Sequence, residues 1–187
     1  MFGGFSGWLK LALILMATGG TALFSSCTRD GVAARQAETL TRQDVFGSAR
    51  LSAAERTRHA AHCASNKDKL AAAFGISRRL TDEARKRRAD DIYQFVPAFC
   101  ECFVNQVEDR GSRMQVLMAM SLVEQAGMLF SQPSYGAFRR AALKAGMTDE
   151  QYDAARAEFQ RISVRSAELC ANHVISAGLA PNPMRRR

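Results

Sequence analysis

The chain lacks any convincing alternation of apolar and polar residues, and no Asn-Gly or Asp-Gly hairpin signal stands between such runs. Strands are therefore not expected, and helices are expected throughout. Catalytic signatures are missing as well. There is no G-x-S-x-G elbow, no phosphate-cradling G-x-x-x-x-G-K-[ST], no H-E-x-x-H and no C-x-x-C-H. These absences remove the usual signatures of serine hydrolases, P-loop enzymes, zinc proteases and c-type haem proteins. No enzymatic activity is expected, although a pair such as Glu101 and His173 is eligible to meet in space. Proline is scarce, at four residues, and the single tryptophan, Trp8, lies close to the N-terminus. Charge is missing altogether between Leu11 and Ser26.

That uncharged stretch follows Lys10 and closes on Cys27, with polar sequence after it. Its sixteen residues, including Gly19 and Gly20, are short for a membrane span of about 20 but match the apolar region of an export signal. Leu23-Phe24-Ser25-Ser26-Cys27 resembles the lipobox of bacterial lipoproteins, in which small residues precede a cysteine that is acylated and becomes the mature N-terminus. Phe24 departs from that motif, standing where a small or β-branched residue is usual. The resemblance implies a signal peptide over 1–26, palmitate-type acylation at Cys27, and a periplasmic domain held at a membrane. The outer membrane is favoured over the inner one, because Thr28 and not an aspartate follows the cysteine. The alternatives are an uncleaved N-terminal anchor helix and ordinary secretion. The last is weakest, since the nearest small-residue site, Val32-Ala33-Ala34, lies far downstream.

Cleavage before Cys27 leaves about 161 residues, enough for one domain with a core and not for two. Only Lys10 is charged in the signal, so the whole chain's +8 falls to about +7 in the mature protein. Outside the cytoplasm such a balance points to anionic head groups or cell-wall polymers and not to nucleic acid.

Four cysteines remain after Cys27, namely Cys63, Cys100, Cys102 and Cys170, an even number suited to two disulfides in an oxidising compartment. Cys100 and Cys102 would close a strained small ring together, and on a helix they point about 160° apart. Each is placed to reach a different partner, with Cys63 upstream and Cys170 downstream; which pairs with which is open. Phe99-Cys100-Glu101-Cys102 with a downstream cysteine also resembles small exported helical proteins of Gram-negative bacteria, a likeness that implies no activity.

The expected fold is all-α, a small bundle of four to five helices, disulfide-stapled, behind the N-terminal signal or anchor. Residues 27–50 read as a polar tether, 51–178 as the helical domain and 179–187 as a disordered basic tail. Ser52-Ala53-Ala54-Glu55 is a capping box opening a helix that continues towards Phe74 and Gly75. A second helix runs from Thr81 to Asp109, with Ile92, Val96, Phe99, Phe103 and Val107 as its apolar stripe and Pro97 as a kink point. Ser112 caps a third, central helix reaching Phe130 before Pro133. A shorter segment spans Tyr135 to Ala145, and Thr148-Asp149-Glu150-Gln151 opens a last helix to Ala177, with Gly178 as its stop.

Three clusters invite functional readings. Met114, Met118, Met120 and Met128 are spread around the third helix among Leu117, Leu122, Val123 and Leu129, which favours core packing over a copper-handling cluster. All three histidines accompany cysteines, as His59-Ala60-Ala61-His62-Cys63 and Cys170-Ala171-Asn172-His173. His59 with Cys63, and Cys170 with His173, share helix faces and are eligible zinc or copper ligands. The spacings match no established zinc pattern, and disulfides are favoured, so no metal or cofactor is expected. Arg85-Lys86-Arg87-Arg88 alternates at i, i+4 with Asp82, Glu83, Asp90 and Asp91 and reads as a solvated, ion-paired face, whereas Arg185 to Arg187 lack such partners. The leading function class is a membrane-anchored envelope interaction or structural protein with a protein partner. A periplasmic metal-binding or redox protein is the alternative, and a hydrolase a distant third.

Overall fold

The structure, a computed structural model, describes residues 31–73, 82–126 and 135–176; within these, the side chains of Ala72, Ala73, Asp82, Ala84 to Ala89, Asp91 and Ile175 lie outside the described set. The signal, Cys27, the basic tail, Met128 and the stops expected at Gly75, Pro133 and Gly178 also fall outside the described residues. The fold is all-α, with no strand among the described residues. In chain order the helices are α1 (Val32–Ala37), α2 (Arg42–Phe46), α3 (Ala53–Ser65), α4 (Lys67–Ala73), α5 (Asp82–Glu108), α6 (Arg113–Glu124), α7 (Gly136–Lys144) and α8 (Asp149–Ser176).

Local chemistry fixes most of these boundaries. Ser52 accepts from the Glu55 amide while the Glu55 carboxylate accepts from the Ser52 amide at 2.8 Å, the reciprocal capping box that starts α3. Ser112 and Gln115 do the same for α6, and Thr148 with Gln151 for α8. Expected as one helix to Phe74, the stretch after Ser52 is instead two. Asn66 ends α3, its side chain donating to the His62 carbonyl at 2.9 Å, and such a competing amide favours a break over a helix interior. The central helix also stops earlier than expected, at Glu124.

Helix α6 is the axis of the bundle. Met114, Val116, Met118, Ala119 and Met120 are all buried, so the methionines that can be assessed are core residues, and α1 to α5 and α8 pack around this helix. The stripe read from the α5 sequence, Ile92, Val96, Phe99, Phe103 and Val107, is buried throughout. Pro97 lies within α5 on its exposed side, away from that stripe.

Residues 31–50 are not a tether. Ala33, Ala34, Ala37, Val45 and Ala49 are buried, and α1 lies against α6 and α7. The physical reason is size: a face of alanines lets one short helix approach α6 closely, although its sequence has too little apolar bulk to look like core. A further capping box, Thr41 with Asp44, starts α2, and the Ala49 amide then bonds to the Gly111 carbonyl at 2.9 Å. Residues 31–50 therefore pack as part of the helical bundle.

Two disulfides tie three helices together: Cys63 to Cys100 joins α3 to α5, and Cys102 to Cys170 joins α5 to α8. Their sequence separations of 37 and 68 residues bring a loop-entropy stabilisation of about 4 kcal/mol each. Changing Cys102 and Cys170 together to Ala, with the Cys63–Cys100 link kept, is expected to lower the thermal midpoint by about 10 °C. Scanning calorimetry checks this, and a shift of a degree or less would mean that the bundle does not rely on that link.

Candidate functional site: the Glu124 junction

The cysteine and histidine clusters do not converge on a metal centre. Cys63, Cys100 and Cys170 are fully buried, and all four assigned cysteines are consumed in disulfides, so no thiolate remains at 63, 100, 102 or 170 to ligate an ion. Among the described residues there is no group of three or more His, Cys, Asp or Glu side chains that could hold a metal ion. Glu101 and His173 are exposed, and the His173 carbonyl accepts from the Ser176 hydroxyl at 2.9 Å. His59 is half-buried, and that burial pushes its imidazole below the ordinary histidine value of 6.5; nearby Glu55 opposes the shift and Arg113 adds to it. Glu55 itself is held down at about 2, first by the Ser52 amide and hydroxyl of its capping box and then by Arg113.

The chemistry that the structure does gather lies at the end of α6, around Glu124. Glu124 is 7 % exposed, the last residue of α6. Its Oε1 accepts from the Ala33 amide at 3.2 Å and lies 2.7 Å from His62 Nε2. Its backbone carbonyl accepts from Lys69 Nζ at 2.5 Å. Its Oε2 is buried without a hydrogen-bond partner. A carboxylate only accepts, so the Nε2 proton of His62 points at it and the imidazole is held in that orientation. Glu124 thus meets three helices: α1 at Ala33 and the end of α3 at His62 through its side chain, and α4 at Lys69 through its backbone carbonyl.

Gly31 explains why the fit is possible. It is the N-cap of α1, with no side-chain cap of its own, and a Cβ at that position would sit 1.9 Å from Glu124 Oε2. Glu124 supplies from another helix the acceptor that a serine or aspartate cap would have given, and the negative charge lies where the first amides of α1 point. A hydroxyl would have to reach the ring of His62 for acyl-transfer chemistry, but the nearby Ser65 donates to the His62 carbonyl. The arrangement orients the His62 ring and fastens α1, α3 and α4 to the end of α6. An acid at the end of an apolar helix, with a glycine-led alanine run far upstream, is the sequence signal that could have suggested it.

No protein-family model, no curated protein and no solved structure matches the chain. No helix among the described residues is long and apolar enough to cross a membrane.

Glu124→Gln keeps the shape but weakens a charge-assisted contact to His62, and Gly31→Ala forces a methyl into the Glu124 carboxylate. Each is expected to destabilise the domain by about 1 to 3 kcal/mol and to accelerate exchange of the Ala33 amide ahead of the α6 amides. Urea titration together with amide exchange reads both effects. Wild-type values for both variants would show that the junction fastens nothing.

Proposed function

We propose that this chain is a lipid-anchored protein on the periplasmic side of a bacterial envelope, acylated at Cys27, which acts as an interaction or structural subunit and not as a catalyst. The observation that carries the reading is the pair of buried disulfides. Disulfides persist in oxidising compartments and are rare in the cytosol, so they agree with the export signal read at Leu11 to Cys27. The disulfides also weigh against the metal-binding alternative, since they occupy the thiols that zinc or copper would need. Outer-membrane sorting is the favoured destination, from Thr28 after the acylated cysteine.

The docked N-terminal segment sharpens what such an anchor would do. Cys27 precedes Gly31 by four residues, so the acyl chains and the folded domain would be separated by at most about 14 Å of backbone. Two or more acyl chains hold a protein at a bilayer where a single chain is marginal. A domain kept that close to the membrane suits the role of a fixed component better than that of a freely reaching one.

Changing Cys27 to Ser is expected to leave an unprocessed precursor, while the wild-type membrane fraction gives an intact mass starting at acylated Cys27. A wild-type mass running from Met1 to Arg187 would contradict lipidation and establish an uncleaved anchor instead. Co-purification from detergent-solubilised envelopes tests the interaction role, with a stoichiometric partner expected and a solitary chain opposing it.

A further inference from the structure

The two disulfides stand differently towards solvent. Cys63 and Cys100 are both fully buried, and the residues one turn from Cys100 on α5, namely Val96, Phe103 and Val104, are buried with it. Cys102 occupies the flank of the same helix. There Phe95, Ala98, Cys102 and Gln106 follow one another at helical spacing, and each keeps part of its surface in water. Its partner Cys170 is fully buried, on a face of α8 that also buries Ser163, Ser166, Ala167 and Val174. The link between α5 and α8 therefore has an outer sulfur and an inner one. Ser166, one turn before Cys170 on that buried face, holds a hydroxyl with no hydrogen-bond partner among the described residues.

We propose that Cys102–Cys170 is a thiol-exchange site, opened by a dithiol reductant, whereas Cys63–Cys100 is closed to exchange in the folded protein. A cysteine side chain is one methylene and one sulfur, so the partial exposure of Cys102 gives a small thiolate a sulfur to attack. That attack forms a mixed disulfide at Cys102 and breaks its bond to Cys170. The electron pair leaves on the Cys170 sulfur, which takes up the proton given by the attacking thiol. Ser166 supplies an unused O–H donor one turn from that leaving sulfur. The reductant's second thiol then closes on its own bound sulfur, releasing Cys102 as a thiol and the reductant as a disulfide, so two electrons and two protons pass to the protein. The product keeps α3 fastened to α5 but holds α8 by packing alone. The chain is the substrate of this exchange and not its catalyst, and the proposal does not depend on acylation of Cys27.

The test treats the full chain, purified in detergent, with dithiothreitol under native conditions, quenches by rapid alkylation and maps the labelled peptides over time. Cys102 and Cys170 are expected to become labelled together, about tenfold faster than Cys63 and Cys100, because the buried link must wait for the bundle to open. In urea, where burial is lost, the two links should open at similar rates. Glutathione, a monothiol, should be trapped on Cys102 with a free thiol at Cys170. Equal native rates, earlier opening of Cys63–Cys100, a rate difference that persists in urea, or an adduct on Cys170 would each overturn the proposal. Ser166→Ala removes only an unpartnered hydroxyl and is expected to fold. It should slow opening of Cys102–Cys170 by about threefold and leave Cys63–Cys100 unchanged. An unaltered Cys102–Cys170 rate in that variant would overturn the donor role of Ser166.

Discussion

Two cysteines on opposite sides of one helix hold the molecule together. Because α-helical geometry turns Cys100 and Cys102 about 160° apart, α5 is fastened to α3 on one side and to α8 on the other. Neither neighbour can leave without carrying α5 with it. The apolar helix α6 then packs against a frame already closed, and its methionines fill the irregular space that remains. Glu101 lies between the cysteines in sequence and faces solvent, so the tight spacing places no acid in the core.

Outside that frame the structure depends on a single buried carboxylate. A short helix with an alanine face buries little apolar area, so α1 gains less from the hydrophobic effect than any longer helix of the bundle. Polar contacts to Glu124 make up part of the difference, and Gly31 gives the carboxylate room. The Arg113 guanidinium adds a second fastening, reaching both Asp44 at 3.6 Å and Glu55. The N-terminal segment is thus attached by a small-residue apolar face together with polar contacts, whereas the core is built from larger apolar contacts and crosslinks.

Legibility in the sequence follows the same division. The α5 stripe, the capping boxes at Ser52 and Thr148, the burial of α6 and the reach of Cys100 and Cys102 to two different partners all follow from local periodicity or from short-range geometry and could be read, whereas which of them meets Cys63 and which Cys170 could not. Residues 31–50 could not, because alanine is as compatible with a solvated linker as with a close helix contact, and only the tertiary partner decides between them. Thr41 and Asp44 did carry a readable start signal for α2. Glu124 was hidden for another reason: its partners, Ala33 and His62, are 91 and 62 residues away in sequence, and no local pattern relates them. The break at Asn66 was likewise a competition between an amide side chain and helix continuation, on which propensity gives little guidance.

Everything else in the bundle rests on the crosslinked frame of α3, α5 and α8. A non-reducing peptide map with thiol counting, on protein purified from the envelope, tests that claim most directly. The account predicts two crosslinked peptide pairs, Cys63 with Cys100 and Cys102 with Cys170, and no free thiol at those four positions. Free thiols there, accompanied by stoichiometric zinc or copper that is lost on changing His59 or His173, would contradict it.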